Sequence, residues 1–223
     1  VFQNSDGVQV TEWEDGLKAV ATVKNPEESD KTAALVTVVY DKNGSMVKRF
    51  ASGQIIPTGQ SKTLETVVDV TWQEGYTIRA FLCEDAESLN LLSGIYAALS
   101  ELPQQPDETA NAVNVALDMP KLEKNKVELT GSISQKCVKT VLLKVKAEDG
   151  TLILITPVQT DAQGKFSYRF ILPDSDKALY TVEADGVDIG NRAEKLVGYL
   201  SDTQKAAIAA DINAVQTAGG VET

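Results

Sequence analysis

Most of the chain is a train of short segments in which apolar and polar residues alternate, cut by turn signals, and this constrains the fold more than any other feature. A period of two puts alternate side chains on opposite faces of a strand, so each segment can bury one face and wet the other. Leu17 to Val23 and Lys62 to Val70 read this way; Thr32 to Tyr40 is a strand rich in β-branched residues, Ser45 to Ile56 its return, and Tyr76 to Leu82 a later strand. Val8 to Glu12 is a candidate first strand and Leu89 to Leu92 a candidate last one. Asn43-Gly44 predicts a tight hairpin, because both residues tolerate positive φ, and Pro57-Thr58-Gly59-Gln60 and Glu74-Gly75 predict the next turns. About seven strands at a spacing of roughly 8 to 12 residues predict an antiparallel β-sandwich.

Between about Ser93 and Lys126 the pattern lapses. Ile95 to Leu102 is weakly helical, Pro103 and Pro106 follow, and Ala112 to Leu117 can open a new unit. Strand patterning resumes in Val127 to Ser134, Thr140 to Glu148, Leu152 to Thr160, Phe166 to Leu172 and Tyr180 to Ala184, with Asp149-Gly150 and Gln163-Gly164 as hairpin turns. After Gly190 the spacing turns helical: Asn191 can cap Arg192 to Leu200, and Ser201 or Asp202 a second segment to about Gln216. A length of 223 residues allows one large domain or two small ones. The expected organisation is a sandwich at 1–98, a linker or domain-edge segment at 99–125, a smaller sandwich at 126–190 with a start near 110 as the alternative, and a helical connector at 191–223. The fold class is therefore mostly β, two sandwiches in tandem plus a short α-helical C-terminal segment. A flexible linker between them would let them melt as two weakly coupled units.

The halves echo one another. Leu35 to Ser45 is similar to Leu142 to Thr151, and Tyr76-Thr77-Ile78-Arg79-Ala80 to Tyr180-Thr181-Val182-Glu183-Ala184. Gly44 and Gly150 are 106 residues apart, Tyr76 and Tyr180 104. Near-equal offsets predict two units of related topology. A tyrosine at the start of a late strand can bury its ring at a sandwich corner, which gives Tyr76 and Tyr180 a structural role.

The chain contains no histidine, two cysteines, and 32 acids against 21 bases. Nucleophile systems that use imidazole as base are excluded, and so is a zinc site of the usual His and Cys kind. A formal net charge of -11, spread over both halves, repels phosphate, so nucleic acid is not an expected partner. The longest apolar runs, Ala33 to Val36, Val38 to Tyr40 and Leu152 to Ile155, fall far short of the ~20 residues of a membrane helix. The first ten residues carry no apolar leader, so a secretory signal is expected to have been removed or to lie outside this stretch.

Val20 to Asn25, Leu35 to Gly44, Ile56 to Lys62 and Gly75 to Leu82 resemble an immunoglobulin-like or fibronectin-III-like module of large cell-surface, S-layer-type and secreted proteins of Gram-positive anaerobes. Where such modules often carry a Trp, this chain has Cys83. Gly131, Thr160 to Phe166 and Tyr180-Thr181-Val182 are similar to bacterial immunoglobulin-like modules with a Thr-Asp-x-x-Gly-x-Phe hairpin. The resemblance spans most of residues 8 to 190 and implies a non-catalytic spacer, adhesion or protein-interaction scaffold outside the cell. Its partners would be other domains of the same polypeptide, a cell-wall or extracellular polysaccharide, or another surface protein. It supplies no catalytic, cofactor or metal residue. The alternative is a carbohydrate-binding accessory region of a secreted polysaccharide-degrading enzyme.

Individual residues give a short list of sites. Sugar stacking would fall to Trp13 and Trp72, the only tryptophans. Trp13, beside acids, is the one expected to be exposed, and Trp72, at a strand end, the one expected to pack. The acids at Glu12, Glu14 and Asp15, and at Glu84, Asp85 and Glu87, read as solvated loops rather than a glycosidase pair. No cofactor is expected. Calcium would find oxygens at Asp174, Asp176, Asp185 and Asp188, but no ligand spacing joins them. Two free thiols are expected, Cys83 as a core residue and Cys137, near Lys136 and Lys139, as the more reactive.

Overall fold

The computed structural model describes residues 1–14, 16–99, 104–107, 112–173 and 178–199, with 203, 205, 206, 209 and 210. It is a mostly β structure of antiparallel sheets. In the first half the strands are β1 (Phe2–Gln3), β2 (Lys18–Lys24), β3 (Lys31–Tyr40), β4 (Met46–Ile56), β5 (Ser61–Val67), β6 (Thr77–Cys83) and β7 (Leu91–Ala98). They form a three-stranded sheet, β1-β2-β5, and a four-stranded sheet, β4-β3-β6-β7. In the second half β8 (Val115–Leu117), β9 (Lys121–Glu123), β10 (Lys126–Ile133), β11 (Thr140–Ala147), β12 (Leu152–Gln159), β13 (Lys165–Ile171), β14 (Leu179–Asp185) and β15 (Ala193–Gly198) follow. Their sheets are β13-β10-β8, with β9 beside β10, and β12-β11-β14-β15.

The echo in the sequence is thus an echo in topology, since each half pairs its strands in the same order. The matching extends to irregularities. The β3–β4 ladder shifts register between Val39 and Tyr40, and the β11–β12 ladder between Val145 and Lys146, again 106 residues on. Both hairpins close alike: Gly44 N–H donates to the Asp41 carbonyl, and Gly150 N–H to that of Ala147. In each, only the glycine has positive φ, 81° and 85°. These are longer loops ending in a left-handed glycine, not the two-residue turn that Asn43-Gly44 predicts. The Asp41 carboxylate takes the place of a turn partner, accepting from the N–H groups of Asn43 and Ser45 (2.8 and 2.9 Å). The Asp161 carboxylate does the same for Gln163 and Lys165, in a turn that joins two different sheets rather than a hairpin.

Residues on β3 and β6 divide between two cores. Leu35, Val39, Ile78 and Ala80 face the first sandwich's interior with Phe2, Leu17, Ile56 and Leu64. Val36, Val38, Tyr40, Phe81 and Cys83 point the other way, into a cluster continuous with Val141, Leu143, Leu154 and Phe170 of the second half. The β4-β3-β6-β7 and β12-β11-β14-β15 sheets therefore face each other, with β11 against β7 and β12 against β4 and β6. Burial on both faces explains why β3 and β11 are nearly continuous apolar runs instead of clean alternations.

Several expectations are corrected. Val8 to Glu12 is not a strand; its place is taken by β1, joined to Gln9 through a single bridge from Gln3. Ile95 to Ala98 belongs to β7, not to a weak helix. The start of the expected connector, Ala193 to Gly198, is the edge strand β15, held by β14. The segment expected to be helical from about 201 to 216 lies outside the described residues, apart from the five isolated positions. β8 falls within Ala112 to Leu117, the segment expected to open the second unit, and β9 follows inside the stretch given to the linker.

Gly44 tests the contact between the halves. A methyl group there would fall 2.1 Å from the Arg169 carbonyl oxygen, whereas at Gly150 nothing lies within 4 Å. Both need positive φ, so Gly150→Ala reports backbone strain alone. Gly150→Ala is expected to cost about 1 kcal/mol and Gly44→Ala about 2–4 kcal/mol in urea unfolding. The chain itself is expected to unfold in one transition, because the halves share a core. Equal costs for the two alanines would show that the halves do not dock through this turn.

Candidate functional site

Two places concentrate side-chain chemistry: the junction between the halves and one cleft of the first sandwich.

The junction is built around Arg79 of β6. Its Nη1 donates to the Thr156 hydroxyl (2.7 Å) and to the Pro157 carbonyl (2.9 Å), both on β12. The guanidinium carbon lies 5.5 Å from the centre of the Tyr40 ring, 5.8 Å from that of Tyr96 and 5.7 Å from that of Tyr168, within reach of cation–π attraction. Tyr40 and Tyr168 meet edge to face at 6.5 Å. The Tyr40 hydroxyl donates to the Ile155 carbonyl (2.7 Å) and that of Tyr168 to the Gly44 carbonyl (2.8 Å), so both bonds cross between the halves. Burial drives the Tyr40 hydroxyl well above the ordinary phenol range, Tyr168 adds to the shift, and Arg79 opposes it. Tyr40 therefore stays a neutral donor.

Beside this contact opens a cleft of about 880 Å³ that Arg79, Tyr96 and Tyr168 share with Asp118, Asp161 and Lys165. Its acids are already engaged. Asp118 accepts from the Thr130 hydroxyl (2.7 Å), and Asp161 holds its turn. A second polar cluster lies on β11 and β14. The buried Lys144 ammonium pairs with Asp185 (3.1 Å), Lys146 with Glu183 (2.8 Å), and Arg192 reaches both acids. Lys144 also approaches the Ser88 carbonyl of the first half (3.5 Å).

Of the residues read from the sequence, Trp13, Trp72 and Tyr76 come together. They line one cleft of about 690 Å³ with Thr11, Glu12 and Thr77. The loop before β2 brings Trp13, and the loop between β5 and β6 brings Trp72 and Tyr76. Their exposure reverses expectation. Trp72 is 50% exposed, while Trp13 and Tyr76 are half-buried against the first core. Tyr180 lies apart, buried in the shared core. Of the candidate calcium donors, Asp174 and Asp176 fall outside the described residues, Asp185 faces Lys144, and Asp188 faces Lys139 (3.3 Å). Asp85 holds the loop 85–88, accepting from the N–H groups of Glu87 and Ser88; these bonds, Ser88 first, keep its carboxyl below the usual range. Asp15 is outside the described residues.

Sequence reasoning missed Arg79 and its three tyrosines, which come from β3, β6, β7 and β13. The available signal was the nearly continuous apolar run of β3, interrupted by Thr37 alone between Ala33 and Tyr40, which marks a strand covered on both sides.

Cys83 and Cys137 are both free and buried. Cys137 lies in the loop between β10 and β11 but is not accessible there, because it packs into the shared core. No helix among the described residues is long and apolar enough to cross a membrane.

No protein-family profile and no curated protein matches the chain. Weak structural similarity extends to a red sea bream transglutaminase, with a TM-score of 0.26 and 13% identity over 89% of this chain and 30% of that one. The β-D-glucuronidase of Dictyoglomus thermophilum gives 0.24 and 12% identity, over 83% and 36%. The BSP domain of a biofilm-associated protein gives 0.25 and 11% identity, over 87% and 28%. The chain spans about a third of the length of each.

Two predictions follow from the site. Arg79→Met keeps the apolar stem but removes the cation and its two bonds, and is expected to cost about 2–3 kcal/mol in urea unfolding; Tyr40→Phe, which orphans the buried Ile155 carbonyl, about 1–3 kcal/mol. Costs below a few tenths would deny the junction its role. Burial pushes the Cys83 thiol up to about 12, with nearby Asp185 and Asp85 adding and Lys144 opposing. A thiol raised on folding stabilises the fold at pH values below its unfolded pKa, and that contribution is lost as the pH climbs through about 12. At pH 8 a thiol reagent is expected to label neither cysteine in the folded chain and both in denaturant. Rapid labelling of folded Cys83 would contradict its burial.

Proposed function

We propose that this chain is a non-catalytic structural module of a larger extracellular or cell-surface protein, made of two immunoglobulin-like or fibronectin-III-like sandwiches that act as one stiff block. The observation that carries the reading is the junction. Tyr40, Arg79 and Tyr168 dock the halves through hydrogen bonds and a shared core, so the pair presents a fixed surface to its neighbours. Support for the module type comes from the strand order. A sheet of the first, second and fifth strands against one ordered 4-3-6-7 corresponds to A-B-E against C′-C-F-G, an arrangement of this sandwich class. The lack of histidine and the engagement of the junction acids, Asp118 by the Thr130 hydroxyl and Asp161 by its own turn, support a role without catalysis. Its partners are other domains of the same polypeptide and, outside the cell, another surface protein or a polysaccharide.

Side-by-side docking makes the block short and rigid rather than long and jointed. Small-angle scattering of the chain is expected to fit a single compact arrangement of the two sandwiches. A profile that requires an ensemble of extended arrangements would remove the stiff-block reading. In cells that produce the protein, antibody is expected to reach it without permeabilisation; confinement to the cytosol would overturn the extracellular assignment.

A further inference from the structure

We infer that the trough formed by Trp13, Trp72 and Tyr76 is a binding subsite for a neutral polysaccharide. The chain's only two tryptophans stand 59 residues apart in sequence, in separate loops, yet line one trough. Trp72 leaves half of its surface in water and shares the trough with a second indole and a phenol. Trp13 and Tyr76 rest against the first core, so their rings are backed by packed side chains and need little ordering when a ligand arrives.

The surroundings select the ligand class. The apolar C–H face of a pyranose ring matches an indole or phenol face, while its rim of hydroxyls needs donors and acceptors at the edge of the stack. Thr11 and Thr77 offer hydroxyls there, and Glu12 a carboxylate that accepts from sugar hydroxyls. Among the described residues no lysine or arginine lines the trough, and the chain carries a net charge of -11, so polyuronate or sulfated chains are repelled. A quaternary ammonium is matched by a close aromatic cage that strips its water. The trough is instead an open groove of about 690 Å³, which suits successive rings of a chain.

Because both tryptophans line the trough, the whole indole emission of the protein reports on it. The test is a titration of the full chain with soluble xyloglucan, mixed-linkage β-glucan, glucomannan and starch. Tryptophan fluorescence and retardation in native gels that contain the polysaccharide are the readouts. At least one of these is expected to shift the emission saturably and slow migration. Trp72→Ala is expected to weaken that binding about tenfold or more, with its unfolding midpoint nearly unchanged because the ring is half-exposed. Bound polysaccharide is also expected to protect Trp72 from oxidation by N-bromosuccinimide, a readout that needs no variant. The inference is overturned if no neutral polysaccharide gives either signal, or if Trp72→Ala binds as the parent does. It is likewise overturned if only polygalacturonate, phosphocholine or a proline-rich peptide shifts the emission. The scattering test of the stiff block is independent, so either reading can fail alone.

Discussion

Arg79 has a guanidinium that must find partners where the outer face of β4-β3-β6-β7 meets another sheet, and the rest of the architecture depends on how it does so. A cation taken out of water is costly unless it is hydrogen-bonded and surrounded by favourable charge. Thr156 and Pro157 of the second half supply the hydrogen bonds, and the faces of Tyr40, Tyr96 and Tyr168 supply the charge distribution. These partners come from both halves, so docking completes this set of contacts. The same contact sets the register of the interface, because Tyr40 and Tyr168 each aim a hydroxyl at one particular carbonyl across it.

That docking changes what the repeated sandwiches can do. Two modules joined end to end by a linker would add reach and flexibility. Here the β4-β3-β6-β7 and β12-β11-β14-β15 sheets are spent on each other, and the other sheet of each half with its connecting loops is left to meet other molecules. The aromatic trough lies on such loops, before β2 and between β5 and β6. A packed core fixes its walls while the loops that carry the rings bear no strand-pairing duty, an arrangement suited to binding.

Much of the fold was legible in the residues. β2 to β6 and β10 to β14 each fall within a few residues of a segment that reads as a strand, and the glycines at 44 and 150 mark equivalent turns. The misreadings have specific causes. Leu196, Tyr199 and Leu200 sit at helical spacing, but β14 offers β15 an open edge with a full set of backbone partners. Trp72 follows an apolar strand and looks destined for a core, yet β5 ends at Val67 and carries it into a loop. Cys137 sits among lysines and looks exposed, yet Lys139 is itself buried and turned toward Asp188.

Local sequence thus determined the strands, the turns and the kinship of the halves, because alternation and left-handed glycines act over a few residues. It also determined the absence of imidazole chemistry. Which sheet faces covered each other, which tryptophan stayed in water, and that two loops would bring both to one trough were decided only by the tertiary structure. Those outcomes rest on contacts between residues tens to more than a hundred positions apart, such as Tyr40 with Ile155, and alternation of apolar residues does not record which distant strand will cover a given face.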